Sequence, residues 1–357
     1  MDRPEALEPS SRTDIFIPVR IGLKGKGGMS MKQILISGAA SLLAIILLPC
    51  GARRESTQTR DVVILHEAAA AADDTHSLPA QDEPEETIRL LTEDGIQTLP
   101  LSEYLTGVVL SEMPPDFAPE ALKAQAVAAR TFAQKRRQAA KHDGADICAD
   151  SACCQAWNSE AALREKFQES YDAYAEKARE AVEATRGEVL VYDGALIDAT
   201  YFSCSGGRTE DAAAVWGEEV PYLQSVESYG EESALRYASE KSFTADELRA
   251  ALGDSTLSGD PESWFSDAVY TAGGGVDTIM IGDKTYAGTE LRKLLKLNST
   301  CFTVSAGSGG VTFHVLGYGH RVGMSQYGAD YMARQGYDYR TILQYYYRGA
   351  EIRDIRS

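Results

Sequence analysis

Glu112 stands at the end of the apolar run Val108-Val109-Leu110, just ahead of Met113 and the pair Pro114-Pro115. A carboxyl among apolar neighbours has its charged form disfavoured, so its pKa rises. That is the condition for a general acid that still holds a proton near neutral pH. In an arbitrary sequence the same glutamate would more often be a solvated loop acid. A second grouping has metal-binding chemistry: His142, Cys148 and Cys154 are spaced six and six, with Cys153 beside the last. Imidazole and thiolate are good zinc ligands, but this spacing matches no common zinc-finger pattern. On spacing alone, a disulfide from Cys148 to Cys153 or Cys154 is the stronger reading for an exported chain.

The elements around these residues are partly legible. Pro119 and Glu120 suit the first turn of a helix, since proline needs no N–H partner there and an acid complements the dipole. Leu122, Ala126, Ala129 and Ala133 recur at helical spacing and predict a buried stripe. Lys123, Arg130, Lys135, Arg136, Arg137 and Lys141 make the same segment basic, either as an ordinary solvated face or as a wall facing a carboxylate-bearing polymer. A second helix is expected from about Ser159 to Ala184, ending near Gly187. Glu188–Tyr192 and Leu196–Tyr201 flank Asp193-Gly194-Ala195, a hairpin signal. From Ser233 to Ser308 the pattern is weaker, with glycine clusters marking turns. Two short helices are expected after Ser325.

Three further blocks follow the Glu112 segment in order. They are Ala199-Thr200-Tyr201-Phe202-Ser203-Cys204-Ser205-Gly206-Gly207-Arg208-Thr209-Glu210, then Val215-Trp216-Gly217 with Val220-Pro221-Tyr222-Leu223, then Gly317-Tyr318-Gly319-His320-Arg321-Val322-Gly323-Met324-Ser325-Gln326-Tyr327-Gly328-Ala329. Together, from about Leu91 to Ile352, the chain resembles the stage II sporulation protein D family, peptidoglycan lytic transglycosylases of spore-forming bacteria. The fold expected is α+β, one catalytic unit over residues 91–357 with room for two lobes. The resemblance implies Glu112 as the single catalytic acid. It would protonate the glycosidic oxygen between N-acetylmuramic acid and N-acetylglucosamine, then accept the proton of the muramic C6 hydroxyl and leave a 1,6-anhydro end. It further implies Tyr201, Ser203, Ser205, His320, Ser325 and Gln326 as substrate contacts, with His320 equally readable as a core or loop support.

Arg130 would hold the charge of Glu112 or bind a substrate carboxylate, although pairing with Glu112 would lower that acid's pKa. Trp216 reads as core ahead of a sugar-stacking ring. The third block usually reads Gly-His-Gly in the family. Arg321 replaces the second glycine, which puts the local backbone in question or adds a cation near the glycan. Some relatives hold zinc on a similarly placed His and Cys pair, which favours zinc on His142, Cys148 and Cys154, with water, Cys153 or a carboxylate as fourth ligand. A Cys204 nucleophile lacks an evident Cys–His–acid arrangement. The biological setting implied is forespore engulfment, on glycan strands already stripped of stem peptides by a partner amidase. The implied partners are that amidase, stage II sporulation protein P, and a membrane scaffold, stage II sporulation protein M. Two other functions compete: a noncatalytic, wall-binding enhancer of amidases, and a glycosidase that uses water.

The 357 residues carry a net charge of −18, which argues against nucleic-acid binding. Asp73 to Asp94 holds eight acids against Arg89 alone, so residues 51–90 read as an acidic, disordered linker. Ile34 to Leu48 is apolar or small except for Ser37 and Ser41, flanked by Lys32 and by Arg53-Arg54. Residues 31–50 are expected to be a membrane anchor, with a cleaved signal as the other option. Leu47-Leu48-Pro49-Cys50 fits a lipoprotein cleavage site poorly. Residues 1–30 would be a cytoplasmic tail or an upstream over-extension of the reading frame. Either way the bulk of the chain is expected outside the cytoplasm, on the mother-cell membrane facing the intermembrane space.

Overall fold

The computed structural model describes residues 86–356. The expected tail, membrane segment and most of the acidic linker lie outside the described residues. Strands β1 (Thr87–Thr92) and β2 (Gly95–Pro100) pair antiparallel, so the fold opens ahead of the Leu91 boundary. Helix α1 (Leu101–Glu112) stops where Met113 turns extended, because the residue before a proline is forced out of the helical region. Helix α2 (Pro119–Gln138) starts on its proline. Its buried face runs wider than the expected stripe: Ala121 to Ala133 are all buried except Lys123, and α1 packs against it. Strand β3 (Ile147–Cys148) joins β1 in parallel.

The single helix expected over 159–184 is instead two, α3 (Glu160–Phe167) and α4 (Tyr171–Ala184). Gln168 between them has φ of 50°, and the break turns Phe167 edge-on to Tyr174 at 5.4 Å. Strand β4 (Glu188–Tyr192) meets β5 (Ala195–Leu196) through Asp193 and Gly194, both at positive φ, as the turn signal requires. The hairpin ends after two residue pairs. Strand β6 (Tyr201–Phe202) leaves it to join a different sheet, and α5 (Ala212–Trp216) follows.

The weakly patterned region folds as a smaller lobe with its own core. It comprises β7 (Ala238–Phe243), α6 (Ala245–Leu252), β8 (Phe265–Tyr270), β9 (Val276–Ile281), β10 (Lys284–Ala287), α7 (Gly288–Leu294), β11 (Cys301–Gly307) and β12 (Gly310–Leu316). Two three-stranded antiparallel sheets, ordered β10-β9-β8 and β11-β12-β7, enclose Leu248, Trp264, Ile281, Phe302 and Phe313. The chain then returns to the larger core through β13 (Met324–Ser325), α8 (Gln326–Arg334), α9 (Tyr339–Tyr346) and β14 (Glu351–Asp354). β13 lies parallel to β6, and β14 completes the β4 sheet. Helices α8 and α9 are the two expected, and both pack on α2. The mixture of helices and mainly antiparallel sheets fits an α+β fold.

One buried ion pair ties the lobes together. Arg321 and Glu210 meet at 3.0 Å with side chains 1% exposed. Glu210 also accepts from Thr271 Oγ1 and from the Gly275 N–H, while Arg321 donates to the carbonyls of Ser205, Arg208 and Gly273. A Cβ on Gly273 or Gly275 would lie 2.5 or 2.3 Å from Glu210, so the turn between β8 and β9 needs glycine there. Arg321 has a left-handed backbone, φ 66°, a conformation that glycine adopts without strain. It is buried and paired, and adds no cation to the surface. Removing one partner of such a pair strands the other charge, which costs about 3–5 kcal/mol. Glu210→Ala is therefore expected to lower the unfolding free energy by about that much in urea titration. A loss below about 1 kcal/mol would mean the lobes do not depend on the pair.

Candidate functional site

The proline stop leaves Glu112 as the last helical residue of α1, half-buried, with its carboxyl facing three elements. The loop after β3 supplies the Ala156 N–H, which donates to Glu112 Oε1 at 2.7 Å. β6 supplies the Tyr201 hydroxyl, 3.5 Å from the same oxygen. The first residue of α8, Gln326, turns its amide toward the carboxyl, although its Nε2 makes no well-formed hydrogen bond. The Ala156 and Tyr201 donors and the nearby amide favour the carboxylate, but burial outweighs them and holds the pKa above the usual glutamate value. No cation pairs with Glu112 among the described residues. This half-buried acid can deliver a proton and then sit as a carboxylate on the Ala156 N–H.

The loop reaches Glu112 because of a glycine. A Cβ on Gly107 would lie 2.4 Å from Trp157 Nε1, so its absence lets residues 155–158 lie against α1. Gln155 accepts from the Tyr104 hydroxyl at 2.8 Å and donates to the Ala129 carbonyl at 3.4 Å. Burial pushes the phenols of Tyr104 and Tyr201 well above their ordinary range, so both are neutral donors near Glu112.

The remaining expected contacts divide sharply. His320 Nδ1 accepts from the Val322 N–H at 3.2 Å. Burial pulls its pKa down to about 4, so it is neutral and holds the backbone of its own block at Val322. Its ring lies between Phe202 and Trp216, with centroids 5.7 and 5.5 Å away. Trp216, expected in the core, is 46% exposed on the outer side of that stack. Ser203 stays half-exposed, whereas Ser205 and Ser325 are fully buried. Both donate to Glu231, at 2.7 Å from Ser205 Oγ and through a short bond from Ser325 Oγ, so neither faces a substrate.

Arg130 lies away from the acid. Buried at 3% exposure, it donates to the carbonyls of Val182, Thr185 and Glu188, tying α2 to the end of α4 and the start of β4. Both sequence-derived roles for it, charge control and substrate binding, give way to this one. The other α2 cations are largely engaged: Lys123 with Glu120, Lys135 with Asp198, Arg137 with Glu86, and Arg136 over the Phe132 ring.

His142, Cys148, Cys153 and Cys154 bring one donor atom each within 4.8 Å of one another, and they could hold a metal ion. His142 Nε2 lies 3.6 Å from Cys153 Sγ and 3.5 Å from Cys154 Sγ. The thiols are free. Lys141 holds the Cys153 thiol below its usual pKa, and burial pushes Cys154 up to about 12. Cys153, one option for the fourth ligand from sequence, completes the set.

Two features of the site gave no sequence signal: the Ala156 N–H, which is backbone, and Glu231, which is one acid in the stretch Glu231-Glu232.

Sequence comparison bears on the same region. A family model described as SpoIID, stage II sporulation protein, matches residues 92–192. The chain is 39% identical over 262 residues to stage II sporulation protein D of Bacillus subtilis strain 168, spanning 72% of this chain and 76% of that protein. It is 36% identical over 266 residues to the Bacillus amyloliquefaciens protein of the same name, 74% and 77% of the two chains. An amidase enhancer of Bacillus subtilis is 29% identical over 300 residues, 70% of this chain and 40% of that one.

The raised pKa has a consequence for stability. At acidic pH the folded and unfolded forms both carry protonated Glu112. As pH rises past the unfolded value, only the folded form keeps its proton, so wild-type stability falls through that window. Glu112→Gln, neutral throughout, is expected to gain in urea midpoint relative to wild type between pH 4 and pH 7. A difference that does not change with pH would contradict the burial argument.

Proposed function

The chain belongs to the stage II sporulation protein D family, a relation with the sporulating cell and its wall, and from the Glu112 site we propose that it is a peptidoglycan lytic transglycosylase. The observation that carries the reading is one half-buried carboxyl with a raised pKa, neutral donors around it and no cation beside it. Hydrolysis by the usual route needs two carboxyls flanking the bond. The buried acids in or beside the matched blocks are each engaged elsewhere: Glu210 with Arg321, Asp330 with Arg334 and the Ala118 N–H, and Glu231 with five donors. A lyase needs only one. Glu112 gives its proton to the oxygen linking N-acetylmuramic acid to N-acetylglucosamine, and the bond to C1 breaks. The carboxylate, held by the Ala156 N–H and faced by Tyr201, takes the proton of the muramic C6 hydroxyl as that oxygen bonds to C1. The product ends in 1,6-anhydro-N-acetylmuramic acid, and no water is consumed.

The metal in this reading is zinc. A tetrahedral ion with bonds of about 2.0–2.3 Å separates its nitrogen and sulfur ligands by about 3.5–3.8 Å. The nitrogen–sulfur separations of 3.5 and 3.6 Å match, and the 4.0 Å between Cys153 and Cys154 is close. Bound there, zinc would supply structural cross-linking: it would keep the three thiols ionised and fix the loop whose next residues are Gln155 and Ala156.

The biological reading is a membrane-anchored protein with its folded part outside the cytoplasm, acting on denuded glycan during engulfment. A wall amidase and a membrane scaffold, stage II sporulation proteins P and M, would be its partners. Likeness to an amidase enhancer favours a second reading, a glycan-binding module that stimulates an amidase without cutting.

Amidase-stripped glycan strands digested with wild type and Glu112→Gln, and read by mass spectrometry, separate these. Anhydro ends from wild type and none from the variant are expected. Reducing ends would point to a hydrolase, and glycan binding without cleavage by either protein would favour the enhancer. Metal analysis of the chelator-washed, folded protein is expected to give about one zinc per chain, lost in Cys154→Ser. A mapped Cys148 disulfide without zinc would rule the metal out.

A further inference from the structure

The two strands that bring Tyr201 and Gln326 to Glu112 are too short to hold their own register. β6 and β13 have two residues each and pair in parallel at only two positions, Tyr201 against Met324 and Phe202 against Ser325. At the ends of the pair, the Met324 N–H donates to the Thr200 carbonyl and the Tyr327 N–H to the Ser203 carbonyl, both at 3.1 Å. A two-stranded pair of this length is marginal by itself. Something else must keep the segments together.

Glu231 occupies that place. It is 1% exposed and comes from neither segment. Its Oε2 accepts from the Ser205 N–H and Oγ–H, each at 2.7 Å, and from the Gly206 N–H at 2.9 Å. Its Oε1 accepts from Ser325 and, at 2.6 Å, from Ser228, whose hydroxyl also meets Tyr346 on α9 at 2.8 Å. Five donors and no acceptor surround the group, the pattern a carboxylate satisfies and an amide does not. One oxygen grips the loop after β6, the other grips the residue just before Gln326, and Ser228 roots both in the larger core.

We propose that Glu231 is the positioning residue of this site: a buried clamp that fixes the loop after β6 against the start of α8, and so holds Gln326 and Tyr201 at Glu112. The inference rests on the lytic reading for the reaction it serves. In Glu231→Gln the new NH₂ cannot face Ser205 and Gly206, whose N–H groups cannot turn. It faces the Ser228 and Ser325 hydroxyls, which can, so the fold survives while the link to α8 is rewired.

The test is a double-mutant cycle in the full-length protein, with Glu231→Gln, Gln326→Ala and the pair assayed on amidase-stripped glycan strands. Each single change is expected to lower kcat by about 10- to 100-fold. KM should move by less than about twofold. The pair should be no slower than the slower single, since both act through one contact. Losses that multiply, a change in KM alone, or an undiminished kcat in Glu231→Gln would overturn the clamp. Thermal unfolding checks that each variant folds. If Glu231→Gln does not, Ser228→Ala, which keeps the acid and removes one donor, takes its place in the cycle under the same criteria. If wild type releases no anhydro ends, the lytic reading fails, and the same proteins are compared for glycan affinity. Non-additive weakening then supports the clamp, and unchanged affinity overturns it.

Discussion

Helix α2 is buried on almost every face, and the placement of Glu112 follows from that. Its central turns are mainly alanine, so neighbouring helices approach without large side chains between them, and α1, α4, α8 and α9 all pack on it. α1 ends in Glu112 and α8 begins with Gln326. A common small-residue support therefore brings the end of one helix to the start of another. The buried Arg130 closes the far side of the same helix by satisfying carbonyls where α4 stops. Leaving those carbonyls bare in the interior would cost about 1–3 kcal/mol each.

At Glu112 the opposing influences are unequal. Withdrawal from water disfavours the charge more than one strong backbone donor, a distant phenol and a side-chain amide favour it. The balance leaves a carboxyl that holds its proton more readily than a solvated glutamate. A cation at hydrogen-bond range would have destroyed that balance, and the cations of α2 are spent on Glu86, Glu120 and Asp198 instead. Polar groups away from the acid serve geometry. His320 is neutral and holds a backbone, and two serines of the matched blocks hold a buried carboxylate.

The apolar run, proline stop and helix-opening Pro-Glu around Glu112 are local signals for its place at a helix end, but they read equally as a solvated loop acid, and only the family resemblance points to its chemistry. The Asp-Gly turn and the short final helices were also legible from local signals. Sequence reading failed where the answer depended on partners distant in sequence. Nothing near Arg130 tells that its guanidinium turns inward to residues 52–58 positions away. Ser205 and Ser325 sit in blocks full of polar residues, and burial separates them from Ser203 only once Glu231 is folded beneath them. The break at Gln168 was hidden because the apolar spacing continues across it. The smaller lobe was faint because strands such as β7 alternate half-buried and exposed positions without a strong hydrophobic face.

The pairing of β7 with β12 places the first and last residues of the smaller lobe opposite each other, Ala238 against Leu316. Some eighty residues thus leave and re-enter the larger core through one narrow neck. Topologically the lobe is a cassette. Its length and contents can change with little effect on the distance between the flanking chain ends, because a closed neck already fixes that distance. The helices around Glu112 belong to the larger core, so a change of length within the cassette away from the Glu210 contact leaves the frame that holds them in place.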